Sequence, residues 1–195
     1  MHRITRDSLM TLEAYSRARS EFRARVMAHK KNRMLPLGEH ITLIFEDELT
    51  IRYQIQEMLR VERVFEEAGI QDELDAYNPL VPDGSNWKAT MMIEYADPEE
   101  RQRMLARLIG IEDRVWVQIE GAARVYAIAD EDLERENSEK TSSVHFLRFE
   151  LESSMVQALK KGAGLAAGVD HPAYAATVAR VDPAMRESLM RDLES

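Results

Sequence analysis

The chain has 195 residues, of which 45% are hydrophobic and 31% charged, and a formal net charge of −9; this suits a single domain with a sizeable core and excludes a disordered tail. It has no cysteine, so its own side chains supply no disulfide, thiol nucleophile, Cys-ligated zinc or iron–sulphur cluster. No stretch approaches the roughly 18 apolar residues of a membrane span, and MHRITRDSLM lacks the apolar core of a secretory signal, so a soluble cytoplasmic protein is expected.

The first elements in the chain are basic. Residues 1–33 carry nine Lys or Arg against three acids, a balance of +6, whereas the remainder carries 17 against 32, or −15. Thr5 is placed to cap a first helix reaching about residue 18, and Ser20 a second with Phe22, Val26 and Met27 on one side. These two helices are expected to form a basic arm that packs on or extends from one domain spanning 1–195. Within it Arg23, Arg25, Lys30, Lys31 and Arg33 make a candidate anion-binding patch. The chain offers no aromatic stacking array, which argues against nucleic acid as the anion.

Pro36 and Gly38 interrupt the helical pattern, and residues 40–47 read as a strand with Ile41, Leu43 and Phe45 on one face. A long helix is predicted over 48–68, with Gly69 as its left-handed cap, then a short helix over 71–76. The string DAYNPLVPDGSN, residues 75–86, has the composition of an ordered loop. Tyr77, Asn78, Asp83, Asn86 and Trp87 around it form a candidate recognition surface for a partner or ligand, or equally a self-bonded turn with Trp87 beneath. Strands follow at 88–95, 115–120, 124–129, 143–152, 164–169 and 174–181, with helices at 98–108, 153–161 and 183–193. Six acids and one Arg in 130–139 read as a solvated face. The sum is an α+β domain with a largely antiparallel mixed sheet, because several strand links are too short for a parallel crossover.

Two apolar faces carry ionisable groups. On the long helix Ile51, Ile55, Met58 and Phe65 form a stripe, and Glu62 falls in its middle. A dehydrated carboxylate there requires an ion-pair partner, a metal or a proton. Strand alternation puts His145 with Leu147, Phe149 and Leu151, and leaves Arg148 on the opposite face as a candidate mate for Glu62 in a buried ion pair. His171 extends the face of Leu165, Ala167 and Val169. Convergence of Glu62, His145 and His171 would compose a divalent-metal or acid–base site. No ligand-spacing motif supports a cofactor, and no catalytic residue is assigned. GAGLAAG, residues 162–168, lacks the Lys-Ser/Thr of a phosphate loop and reads as a turn entering a small-residue strand.

The strings FRARVMAHKKNR, ITLIFEDELTIRYQIQEMLRVERVFEEAGIQDELDAYNPLVPDGSN, GIEDRVW, YAIADEDLERE, EKTSSVHFLRFEL and GVDHPAY resemble, over nearly the whole chain, a bacterial family of functionally uncharacterised proteins, domain of unknown function 3501. The resemblance brings no catalytic residue. It implies a gene neighbourhood with a rubrerythrin-like di-iron protein and an iron–sulphur reductase-like protein, and hence an accessory role towards a redox partner. Three functions follow. The leading one is a non-enzymatic adaptor, expected as a homodimer, that binds such a partner through the basic helices or the DAYNPLVPDGSN loop. The alternatives are a metal-dependent enzyme or small-molecule binder built on Glu62, His145 and His171, and an anion or nucleic-acid binder built on the basic helices.

Overall fold

The computed structural model describes residues 3–129 and 140–194. The acidic run at 130–139 lies outside the described residues.

The basic N-terminal sequence forms one helix, α1 (Leu12–Lys30), in place of the expected two. Thr11 caps it by accepting from the Ala14 amide at 3.2 Å. Ser20 lies inside the helix because Tyr15, Phe22 and Val26 keep a single buried stripe running across that position. Thr5 instead precedes a short 3-10 turn, Arg6–Ser8.

A strand that the helical reading missed, β1 (Met34–Leu37), pairs antiparallel with β2 (Ile41–Glu46). Pro36 is accommodated because β1 is an edge strand. Asp47 then caps α2 (Glu48–Glu62) through a reciprocal pair of hydrogen bonds, Thr50 N–H to Asp47 Oδ1 at 3.0 Å and Asp47 N–H to Thr50 Oγ1 at 2.9 Å.

The helix expected to reach residue 68 stops at Glu62. Arg63 takes a left-handed conformation, φ 55°, and the Val64 amide reaches back to the Leu59 carbonyl at 2.9 Å. Val64 packs against the same cluster as Leu59, the apolar contact that accompanies this ending. Gly69 is therefore no cap; it lies within α3 (Glu67–Tyr77). A 3-10 turn, Asn78–Leu80, shortens the irregular stretch that follows.

The remaining elements are β3 (Asn86–Ile93), α4 (Pro98–Arg107), β4 (Val115–Ile119), β5 (Arg124–Tyr126), β6 (Val144–Glu150), α5 (Ser153–Lys160), β7 (Leu165–His171), β8 (Tyr174–Val178) and α6 (Pro183–Met190). Asp97-Pro98 and Asp182-Pro183 start α4 and α6, each with an aspartate side chain accepting from a first-turn amide.

Among the described residues the expected single sheet is two sheets of four strands, ordered β1-β2-β3-β6 and β5-β4-β7-β8, and every ladder is antiparallel. Their inner faces meet in the main core, where Leu43, Phe45, Trp87 and Phe149 oppose Val115, Val117, Leu165 and Val169. On one side the sheets are joined by reciprocal Ile128–Arg148 backbone hydrogen bonds of 2.8 Å. On the other side Tyr174 Oη donates to the Leu37 carbonyl at 2.6 Å. Helices α2 and α3 form a second apolar cluster into which Phe146 of β6 packs, and α1 packs on α2 through Tyr15, Phe22, Val26 and Tyr53. The fold is α+β.

Candidate functional site

Glu62 ends α2 on the exposed surface. The wheel that placed it among core residues continued the helical period past Arg63, where the chain has already turned; Phe65, its expected neighbour in the stripe, is 74% exposed. No ion pair joins Glu62 to Arg148, which bonds Glu150 on its own strand. The Glu62–Arg148 buried pair is thus corrected.

The histidines are engaged elsewhere. His145 is buried, and its Nε2 lies 3.1 Å from the Ser142 carbonyl and 2.9 Å from Thr141 Oγ1. A carbonyl only accepts, so Nε2 carries a proton and is turned away from ligation. Glu112 Oε2, missed by the sequence reading, stands 4.0 Å from the same nitrogen. His171 Nδ1 accepts from the Ala173 amide at 3.1 Å, and its Nε2 faces the Ile109 carbonyl at 3.1 Å, so both ring nitrogens are occupied. Among the described residues no group of three or more His, Asp or Glu side chains is arranged to hold a metal ion, so Glu62, His145 and His171 do not form the metal site considered above.

The DAYNPLVPDGSN loop ties distant parts of the chain together. Asn78 exchanges hydrogen bonds with the Ile4 backbone at 2.9 and 3.0 Å. Asp83 accepts from the Ser85 amide and hydroxyl, and Asn86, buried, donates to Glu150. Trp87 is buried and its indole N–H donates to the Leu189 carbonyl at 2.9 Å. Tyr77 is half-buried against the α2–α3 cluster. Of these five, Asn86 and Trp87 have no side chain at the surface to offer a ligand.

The basic arm divides into two kinds of cation. Arg33, expected on the surface, is 1% exposed. Its Nε donates to the Phe45 carbonyl at 2.8 Å, and its terminal nitrogens reach the Glu46 and Ser188 carbonyls, the Asp192 carboxylate and, at 3.5 Å, Asp47. His29 adds a further bond to Asp47. Burial works to raise the Asp47 carboxyl, yet the Arg33 charge and the Thr50 amide outweigh it and hold Asp47 below its ordinary value. For Asp192 burial prevails over Arg33 and pushes the carboxyl up to about 6. Arg33 continues the inward alternation of β1: Arg33, Leu35 and Leu37 are buried, and Asn32, Met34 and Pro36 are exposed.

Arg19 is also neutralised. It grips Glu57 of α2 with two hydrogen bonds of 2.7 and 2.9 Å, while Tyr15 Oη donates to the same carboxylate at 2.6 Å. Arg19 is the main reason that Glu57 is held down to about 2. Arg17 pairs with Glu13 one turn earlier.

What remains is Arg23, Arg25, Lys30 and Lys31. None of these has an ion pair among the described residues. Arg23 and Lys30, two turns apart, share one flank of α1; Arg25 occupies the other flank with its guanidinium 4.9 Å from the Phe22 ring centre; Lys31 follows the last turn. Arg23, Arg25 and Lys31 are exposed and Lys30 is half-buried. The helix carrying them is held to α2 by Phe22, Val26 and the Glu57 bonds, and to β2 by the Arg33 cluster, so the charges are presented on a fixed support.

The fold recurs in a solved structure described as a novel protein of unknown function from Burkholderia pseudomallei K96243. That chain is 59% identical, with a TM-score of 0.94 and coverage of 99% of this chain and 100% of its own. Among curated proteins none matches. With the strings quoted above carried on a fold that a 59% identical chain reproduces, and with a family model matching residues 3–193, this chain belongs to the family described as Protein of unknown function (DUF3501).

Proposed function

We propose that the protein is a non-enzymatic accessory protein that docks an acidic surface of a redox partner on the exposed flanks of α1. The observation that carries this reading is the selective neutralisation along α1 and the turn that follows it: Arg17, Arg19 and Arg33 are matched within the fold, whereas Arg23, Arg25, Lys30 and Lys31 have no ion pair among the described residues. In a chain of net charge −9, four unmatched cations on one support form a local positive field against an acidic body. Such a field accelerates and orients encounter with a complementary acidic partner. The redox character of the partner, a rubrerythrin-like di-iron protein or an iron–sulphur reductase-like protein, rests on the gene neighbourhood that the family resemblance implies. A homodimeric state belongs to the same proposal and is tested by the solution mass.

The test is a pull-down from native cells after mild crosslinking, with the captured protein identified by mass spectrometry and its iron measured. The unaltered chain is expected to recover an iron protein. The triple variant Arg23→Glu, Arg25→Glu, Lys31→Glu is expected to lose it while keeping its thermal stability, and added salt should weaken capture in the same way. Recovery of no iron protein by the unaltered chain overturns the proposal, as does equal recovery by the variant.

A further inference from the structure

At the turn between β1 and β2 the backbone builds a fixed imidazole. Gly38 has φ +74°, and a Cβ there would sit 2.5 Å from Tyr174 Oη. Only glycine allows that hydroxyl to reach into the turn, where it donates to the Leu37 carbonyl and accepts from the His40 amide at 3.1 Å. The His40 ring stacks on Tyr95 with centres 3.9 Å apart and planes 18° from parallel. Its Nδ1 lies 2.9 Å from the Glu94 carbonyl, an acceptor, so Nδ1 carries the proton in that bond. Nε2 has no partner among the described residues.

His40 lines an open groove of about 920 Å3 with Glu39, Glu94, Tyr95, Arg101 and Ser143. Arg101 makes a single hydrogen bond of 3.4 Å, to the Tyr95 carbonyl, and no ion pair among the described residues, although two carboxylates border the same groove. Tyr95 thus holds His40 on its ring and Arg101 on its carbonyl. The groove thus carries, among the described residues, one cation and two carboxylates without an ion pair, around the stacked His40 and Tyr95 rings.

We propose that this groove binds a small zwitterion, a free α-amino acid, with its carboxylate on Arg101 and its ammonium on Glu39 or Glu94, within hydrogen-bonding reach of His40 Nε2. A ligand with one negative and one positive group meets Arg101 and one of the carboxylates at once, whereas a simple anion meets only the guanidinium and a simple amine only a carboxylate. The groove is open and its binding groups are exposed, so the affinity expected is on the order of a millimolar dissociation constant. This site is separate from the α1 flanks and stands or falls independently of the partner proposed there.

The experiment is a titration of the full chain, followed by amide and histidine-ring NMR signals, with pooled free amino acids at about 10 mM and with acetate and methylamine alone at the same concentration. Expected are shifts at His40, Tyr95 and Ser143 with a member of the amino-acid pool, at least about tenfold weaker binding of acetate or methylamine, and loss of the shifts in Arg101→Gln and in His40→Gln. Both substitutions fall on surface-lying side chains, and unchanged amide spectra elsewhere establish that the variants fold. No shift at these residues with any amino acid overturns the proposal. Acetate binding as strongly as the zwitterion, or binding undiminished in Arg101→Gln, overturns it equally.

Discussion

Replacing Arg33 by methionine keeps much of the aliphatic stem and removes the guanidinium from a site where it is 1% exposed. Three backbone carbonyls, Phe45, Glu46 and Ser188, lose a donor, and the Asp192 carboxylate, 7% exposed, loses its cation. Breaking a buried pair by deleting one partner costs about 3 to 5 kcal/mol, since the other charge stays dehydrated and unmatched. For a chain of this length that corresponds to a fall in Tm of roughly 6 to 20 °C. Arg33→Met should therefore show an early urea midpoint with an unchanged slope. The loss should also depend on pH. The Asp192 carboxyl is already raised to about 6 from an ordinary 3.8, so the folded state holds its proton more tightly. That contribution is complete below the ordinary value and disappears as pH rises through about 6. Without Arg33 the carboxyl rises further, and the variant should lose less at pH 5 than at pH 8. Adding Asp192→Asn should recover part of the deficit at pH 8. A loss below about 1 kcal/mol, or strictly additive effects of the two substitutions, would refute the view of Arg33 as a buried charge anchor.

Other substitutions probe other layers. Glu57→Gln should cost about 1 to 2 kcal/mol at neutral pH by weakening the bonds to Arg19 and Tyr15. Because the Glu57 carboxyl is held down to about 2, its contribution is present above the ordinary 4.5 and lost as pH falls through about 2, so urea midpoints of the variant and parent should converge in strong acid. Gly168→Ala should cost about 1 to 3 kcal/mol, as the new methyl would overlap the Trp116 ring and lie 2.6 Å from the Ala176 carbonyl; near-ultraviolet circular dichroism should report the displaced indole. Phe65→Ser should change stability by no more than about 0.5 kcal/mol. A loss of about 3 to 5 kcal/mol, the figure for a core phenylalanine, would place Phe65 back in an apolar stripe and contradict the helix end at Arg63.

Local signals carried much of the architecture. Alternation of Ile41, Leu43 and Phe45 identified β2, and the helices expected from Pro98 and Pro183 begin there as α4 and α6. These features depend on neighbours a few residues apart. The end of α2 escaped because no glycine or proline announces it: Arg63 adopts the left-handed conformation that the contact between Leu59 and Val64 favours. Glu62 was misplaced for the same reason. Arg33 was misread because it ends a run of surface cations, and the strand that turns it inward was hidden by Pro36. The division into two sheets rests on Ile128 meeting Arg148 and Tyr174 meeting Leu37, pairings set by packing between remote segments. His40 gives no hint at all in the sequence, since its environment is assembled from β2, the end of β3 and β8.

The Arg33 anchor also constrains the order in which the molecule assembles. Its bond to Asp192 spans 159 residues, and Trp87 meets the Leu189 carbonyl across 102. Contacts of such separation become favourable only after a large loop has closed, which makes them slow to form. During synthesis Phe45, Glu46 and Asp47 follow soon after Arg33, whereas its partners Ser188 and Asp192 come 155 and 159 residues later. The segment that carries Ser188 and Asp192 acts as a latch on the turn before β1, and Arg33 lacks these two partners until that latch arrives.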